Sequence, residues 1–318
     1  MGDGTDLDRL VPTRSMGVSD ATTVRAGSTF NCALRRGGTV VCWGFNTNGQ
    51  LAIGRTSDVE PPSEAISLTA VESLSLGEAH GCAVRMNGSV YCWGQNAYGQ
   101  LGDGTSELRS TPVVVNGLPP IQSVAAGSAH TCAVSRDHRL WCWGDNTFGN
   151  LGTGGGSVSR PTLVDLENVT DVAAGYAHTC ARTDDGRLWC WGDNSLGALG
   201  DGSREPRSTP TLVDSLENVY DVFLGPRALR TCAVLGDNSL HCWGSNNSGA
   251  VGAGSEEDVL TPLRILEGAS EAALGAQHTC ATLLNGGVRC WGSNTVGQLG
   301  DGTAMRRRRP SSVLSPDL

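Results

Sequence analysis

The chain has 318 residues, a formal net charge of −9 and no lysine, so all 23 basic residues are arginines. An acidic protein of this kind is a poor match for nucleic acid or an anionic membrane surface, and no apolar run reaches membrane-spanning length. Hydrophobic residues make up a modest 39% and glycines number 44, a load that points to turns at fixed positions in a periodic sequence.

Residues 2–18 (GDGTDLDRLVPTRSMGV) align with GDGTSELRSTPVVV at 102–115, so the chain opens inside a repeated unit. Residues 1–23 lack the basic-then-apolar pattern of a secretory leader, as a mature chain would. Six units follow. Their first cysteines are spaced 50, 50, 48, 52 and 48 residues apart, and a period of that length marks a repeat architecture. The unit cores cover approximately residues 22–52, 70–102, 120–152, 168–200, 218–252 and 269–300. They are read as one domain over 1–318, with 1–20 and 304–318 as terminal segments.

Each unit begins with a short β-branched or small run ending in glycine, such as IQSVAAG (121–127), expected to be a strand A buried on both faces. Strand B carries the first cysteine (HTCAV) and strand C the second, followed by Trp-Gly (LWCWG). Three-residue loops join B to C: 36–38, 86–88, 136–138, 184–186, 236–238 and 284–286. Their third residue is Gly four times, Asn238 once and His138 once, types that tolerate the left-handed conformation a three-residue hairpin needs there. A glycine-rich link then leads to a Pro-led run such as PVVV (112–115), and the proline confines this strand D to the outer edge. Both ends of the chain offer a strand D, at 11–18 and 310–314, one more than six units can use.

The hairpin fixes a register in which Cys32 faces Cys42. By the same count Cys82 faces Cys92, Cys132 faces Cys142, Cys180 faces Cys190, Cys232 faces Cys242 and Cys280 faces Cys290. Counting outward from a hydrogen-bonded closing pair puts each couple on a non-hydrogen-bonded site, where the Cα atoms are close enough for a disulfide. Six disulfides with no cysteine left over imply an oxidising, extracytoplasmic compartment: secreted, periplasmic or cell surface.

Four short strands per unit and six units predict an all-β propeller with six four-stranded blades of about 50 residues, or part of a seven-bladed ring. The segment AAGSAHTCAVSRDHRLWCWGDNTFGNLG resembles the repeat of the regulator of chromosome condensation family, over roughly residues 22–303. Its paired cysteines look like those of bacterial extracytoplasmic members. The resemblance implies a propeller but not one function, since the family spans nucleotide exchange on a small GTPase, ultraviolet sensing in plants and inhibition of secreted β-lactamases. The wedge insert that carries exchange activity in the namesake has no room here.

His80, His130, His178 and His278 share one repeat position and invite a metal-ring reading. Equivalent residues of different blades stand too far apart for one ion, so hydrogen bonds to the next blade are expected, with no metal and no cofactor. The Trp-Gly tryptophans are expected to fill the wedges between blades, and Trp141 and Trp189 to add packing or a paired surface patch. The GDG turns (Asp103, Asp201, Asp301) lack a calcium ladder and read as β-turns. Arg306–Arg309 read as a solvated segment.

No nucleophile elbow or phosphate loop is present, and the chain is read as a non-enzyme. The expected function is rigid, monomeric protein binding through the variable C–D links (55–62, 106–110, 153–160, 203–208, 255–260, 303–309) and the insertion at 226–230. The candidate contacts are Arg109, Arg160, Arg204, Arg207, Arg227, Arg230, Glu256, Asp258, Arg306 and Arg307. The alternatives are a hydrolase or lyase with carboxylates around the channel, and a structural module of a larger surface protein.

Overall fold

Twenty-four strands build six separate four-stranded antiparallel sheets in the computed structural model, which describes residues 2–5 and 7–314. Blade 1 holds β1 (Ala21–Ala26), β2 (Phe30–Arg35), β3 (Val40–Asn46) and β4 (Ser57–Glu64). Blade 2 holds β5 (Val71–Leu76), β6 (His80–Arg85), β7 (Val90–Gly94) and β8 (Arg109–Val114). Blade 3 holds β9 (Ile121–Ala126), β10 (His130–Ser135), β11 (Leu140–Gly144) and β12 (Val158–Leu163). Blade 4 holds β13 (Val169–Ala174), β14 (His178–Thr183), β15 (Leu188–Gly192) and β16 (Arg207–Leu212). Blade 5 holds β17 (Val219–Phe223), β18 (Arg230–Leu235), β19 (Leu240–Gly244) and β20 (Val259–Leu266). Blade 6 holds β21 (Ala269–Leu274), β22 (His278–Leu283), β23 (Val288–Gly292) and β24 (Arg307–Ser312). Strands follow chain order in every sheet, and neighbouring blades meet through strands A and B, so strand D is outermost. The architecture is a six-bladed β-propeller with no helix among the described residues.

The turn chemistry produces this register. The third loop residue is left-handed in each hairpin, at φ 75° for Gly38, 62° for His138 and 62° for Asn238. Arg35 N then donates to Thr39 O at 2.9 Å, closing a hydrogen-bonded pair three steps from the cysteines. Cys32 stands opposite Cys42 and Cys82 opposite Cys92. Cys132 stands opposite Cys142, Cys180 opposite Cys190, Cys232 opposite Cys242 and Cys280 opposite Cys290. All six disulfides are formed, each across a Cα–Cα distance of 4.1 Å, as a non-hydrogen-bonded site requires.

Tryptophans wedge the blades together. Trp93 packs into the blade 1 core with Leu34, Val40 and Leu51, and Trp143, Trp191, Trp243 and Trp291 each enter the core of the blade before their own. Trp43 instead packs against Ala33, Val41 and Val18. Trp141 and Trp189 are half-buried additions to two of these cores.

Three expectations are corrected. Strand A is not uniformly buried: β9 buries four of its six residues but β1 buries none, because one side of the inner strands lines the channel and no four-stranded sheet packs before β1 among the described residues. Much of 55–62 is strand, since β4 starts at Ser57. Arg306–Arg309 is not a free loop, since β24 starts at Arg307 and completes blade 6. The rival strand D candidate at 11–18 forms no strand.

Candidate binding face and the junctions beneath it

In an antiparallel blade the A–B turn and the C–D link leave the sheet at the same end. Backbone bonds join them there, from Phe45 N to Thr29 O (3.0 Å) and from Gln95 N to Ala79 O (2.9 Å). Topology therefore gathers all the variable links and the Pro226–Arg230 insertion onto one face, with the B–C hairpins on the other.

Several candidate contacts on this face prove to be its framework. Arg109, Arg207 and Arg307 are half-buried and paired with the GDG aspartates Asp103, Asp201 and Asp301 at 3.0, 2.9 and 2.7 Å. Each aspartate also accepts the N–H and hydroxyl of the residue two ahead (Thr105, Ser203, Thr303) and an amide N–H from Asn96, Asn194 or Asn294. Burial pushes the Asp301 carboxyl up, but its bonds to Thr303, Arg307 and Asn294 outweigh that and hold it at about 2. The corner is a locked turn. The Arg160 guanidinium lies over Gly104, where a Cβ would stand 2.6 Å from it.

Other candidates remain open to a partner. Arg204 bridges Ser195 O (2.7 Å) to Asp258 (3.1 Å). Arg306 and Arg308 share Glu256 at 2.6 and 2.9 Å beside a shallow cleft lined by Gly254 and Arg306–Arg309. Two cations on one carboxylate leave this edge of an acidic protein locally positive. Arg227 reaches from blade 5 across the channel mouth to Ser28 Oγ of blade 1 (3.2 Å) and Glu78 of blade 2 (3.6 Å). Tyr98 and Phe148, at equivalent positions of blades 2 and 3, are about half exposed on the same face (52% and 46%).

Arg230 is the clear correction. It is 1% exposed and cannot touch a partner. Its Nε donates to Thr279 Oγ1 (3.0 Å), and its terminal nitrogens donate to Ala276 O (3.0 Å), Gly275 O (2.8 Å) and His278 O. Burial pulls its pKa down to about 9, so it remains a cation at neutral pH.

The same position explains the histidines. His80 Nε2 lies 2.9 Å from Thr131 Oγ1 in the next blade, and that hydroxyl donates back to Gln100 O at 2.8 Å. The hydroxyl proton is thus committed, so Nε2 carries the proton and donates. Trp143 Nε1 donates to the same Gln100 carbonyl at 2.9 Å. His130–Thr179–Asn150–Trp191 and His178–Thr231–Ala198–Trp243 repeat the arrangement, and Arg230–Thr279–Ala250–Trp291 substitutes the guanidinium. Between blades 1 and 2 the pair is apolar: Phe30 stands in the histidine position and Gly81 in the threonine position. A Cβ at Gly81 would meet the Trp93 ring at 2.5 Å. Reading the sequence for chemistry passed over these threonines. Their signal was present, since Thr precedes the cysteine in each unit that follows a His or Arg unit from the third onward.

On the channel side, Asp171 of β13 and Asp221 of β17 face each other from adjacent inner strands. Burial first, then the Asp221 charge, pushes Asp171 up to about 7, and burial also raises Asp221. In the opposite sense, burial drives His80 and His178 down to about 3 and His130 to about 4.

These shifts set a pH profile. The histidines bind protons more weakly when folded, so their contribution is complete above pH 6.5 and is lost as pH falls from 6.5 to about 4 for His130 and to about 3 for His80 and His178, on the order of 4 kcal/mol each. Asp171 binds its proton more tightly when folded, so its contribution is complete below 3.8 and is lost as pH rises through 7. Asp171→Asn is therefore expected to raise the melting temperature at pH 8 and to match the parent near pH 4. Thermal melts across that range check it, and a uniform offset would exclude the shared-proton account.

Among the described residues no cluster of three or more His, Cys, Asp or Glu side chains is placed to hold a metal, and no helix is long and apolar enough to cross a membrane. No curated protein matches the chain in sequence. Human WBSCR16 superposes with a TM-score of 0.86 at 21% identity, over 97% of this chain and 86% of that one. Yeast RCC1 (Prp20), solved bound to Kap60, gives 0.82 at 21% identity over 92% and 74%. The receptor kinase CR4 ectodomain of Physcomitrella patens gives 0.56 at 24% identity over 86% and 62%. At these identities the likeness is one of fold. The regulator of chromosome condensation (RCC1) repeat is matched at residues 87–134, 137–182, 185–227 and 237–282, more than half of the chain, and a second model of that repeat matches 21–50, 71–100, 121–150, 169–198 and 271–298. The chain belongs to the regulator of chromosome condensation repeat family.

Proposed function

We propose that this protein is a rigid, disulfide-stapled, monomeric scaffold that binds a protein partner through the face of A–B turns and C–D links, in an extracytoplasmic compartment and without catalytic turnover. The observation that carries this reading is the composition of that face. It sets exposed aromatics (Tyr98, Phe148) and under-compensated arginines (Arg306, Arg308) on a face whose corners in blades 2, 4 and 6 are locked by Asp–Arg pairs. Aromatic and arginine side chains are the usual anchors of protein interfaces, and a pre-ordered face loses little freedom on binding. The yeast propellers offer a precedent in kind: their structures are described with Kap60 and with binding to Gsp1p and histones. The acidic charge favours a protein over nucleic acid, and six disulfides support an oxidising location.

A photo-crosslinking residue at Phe148 is expected to trap a discrete protein adduct from native extracytoplasmic extract, and one at Met86, on the hairpin face, to trap none. Equal yield from both faces would sink the assignment. The Asp171–Asp221 pair favours a second reading, acid–base chemistry in the channel. The Asp171→Asn variant separates the two, because a scaffold keeps its Phe148 adduct and an enzyme loses turnover.

A further inference from the structure

The four consecutive arginines Arg306–Arg309 stand where blade 5 leans on blade 6. Three of them belong to β24, and the C–D link of blade 5 lies directly against that strand. Gly254 N donates to Arg308 O at 2.8 Å, and a Cβ at Gly249 would meet Arg308 Cα at 2.9 Å. The cleft at this junction is lined by Gly254 and the four arginines.

Among the described residues only two carboxylates pair with these four cations. Asp301 takes Arg307 into the locked corner at 2.7 Å, and Glu256 takes both Arg306 (2.6 Å) and Arg308 (2.9 Å). Both reach the same oxygen, Oε1, so neither planar fork is filled in the two-point manner that guanidinium and carboxylate favour. Arg309 is exposed and has no carboxylate or other side-chain partner among the described residues. Its guanidinium is held against backbone instead, since a Cβ at Gly254 would stand 2.7 Å from its Nη2 and 2.8 Å from its Nε. Arg160 lies over Gly104 in the same way, so the placement belongs to the fold, but residues 157–159 beside it are Ser, Val and Ser. The junction of blades 5 and 6 surrounds the stacked arginine with three more.

We propose that this cleft binds an acidic segment of the protein partner, an extended stretch carrying two or more Asp or Glu carboxylates. The inference rests on the scaffold reading, because the cleft opens on the same face, and it names the chemistry of the partner. Glu256 already shows which group Arg306 and Arg308 accept. The arginines are strung along a strand, at about 3.4 Å per residue, and do not converge on one point. A single small anion meets one or two of them, whereas an extended chain meets Arg306, Arg308 and Arg309 together. The pairs to Glu256 are half exposed and hold weakly in water, so an incoming carboxylate can displace Glu256 or fill the open sides of the forks. With the whole chain at −9, an acidic partner is repelled elsewhere and steered to this edge.

The test is titration of the full, oxidised chain with an acetylated hexaglutamate peptide, read by calorimetry at about 20 and about 200 mM salt. The expected result is a 1:1 complex that weakens roughly tenfold at the higher salt. Arg306→Gln and Arg309→Gln, both at exposed positions, are each expected to weaken it roughly fivefold, and Glu256→Gln to tighten it by about as much. Arg139→Gln removes the same charge from the exposed hairpin face and is expected to change binding less than about twofold. Absence of binding overturns the proposal, as does an Arg139→Gln effect equal to that of Arg309→Gln. Inorganic phosphate that competes at equal concentration, or a heparin octasaccharide that binds more tightly than the peptide, overturns it in favour of a small anion or a glycan. A Phe148 adduct without hexaglutamate binding overturns the cleft assignment alone. Hexaglutamate binding without that adduct supports the cleft while the scaffold reading fails.

Discussion

Arg230→Met is expected to cost about 3 kcal/mol in urea unfolding, more than any other single side-chain replacement on this face. The loss does not come from a broken ion pair, because among the described residues no carboxylate pairs with the guanidinium, which bonds only to a hydroxyl and backbone carbonyls. It comes from Thr279 Oγ1 and the Gly275, Ala276 and His278 carbonyls, which one cation satisfies together. A methionine fills much of the volume but leaves Thr279 Oγ1 and the Gly275 and Ala276 carbonyls without that donor, while His278 O keeps its bond from Gly275 N at 2.9 Å. Arg230→His restores the bond to Thr279, by analogy with His178 and Thr231, but none of the carbonyl bonds, so an intermediate stability is expected. If Arg230→Met unfolds with the parent midpoint, the clamp is not holding blade 6.

Reduction is the second large effect. Each disulfide closes a loop with a sequence separation of ten, and chain-entropy arguments assign such a loop about 2.8 kcal/mol. Six together, on the order of 15 kcal/mol, match or exceed the whole stability of an ordinary domain. The fully reduced chain is therefore expected to be unfolded at 25 °C. Eleven of the twelve cysteines are buried, with Cys132 and Cys142 both 0% exposed, and Cys280 is half-buried, so dithiothreitol without denaturant is expected to reach the Cys280–Cys290 disulfide first and the other five only as fast as blades open. Mass spectrometry of alkylated thiols over time, beside circular dichroism, checks both statements. Rapid reduction with a native spectrum would show that the hairpins hold without their staples.

What was legible in the sequence was local or strictly periodic. The cysteine register followed from a three-residue turn, and Gly38, His138 and Asn238 adopt the left-handed conformation their types suggested. The wedge tryptophans and outer prolines were readable for the same reason. What was not legible depends on which blade ends up beside which. Arg230 read as an exposed loop cation because nothing near it in sequence reveals four acceptors some 45–49 residues later. Asp171 and Asp221 are equally distant in the chain and become partners only through ring geometry. The C–D links lie between strands C and D as expected, though 55–62 and 303–309 run into β4 and β24, and Arg109, Arg207 and Arg307 look like contacts when their short-range partners make them braces. Positive charge in a variable loop marks an interface and a structural pair with the same letters.

The junction pairs have a consequence for how such a ring can change. Blades 2, 3 and 4 each present a histidine forward and blades 3, 4 and 5 each present a threonine backward, so these joints are chemically interchangeable. A unit duplicated or deleted inside that run would meet a neighbour with the same fitting. The Phe30–Gly81 joint behaves otherwise: a histidine facing Gly81 would find no hydroxyl, and a threonine facing Phe30 would crowd Trp93. Blade number is thus free to drift in the middle of the chain and keyed near its start, as with beads sharing one clasp beside a pair that fit only each other.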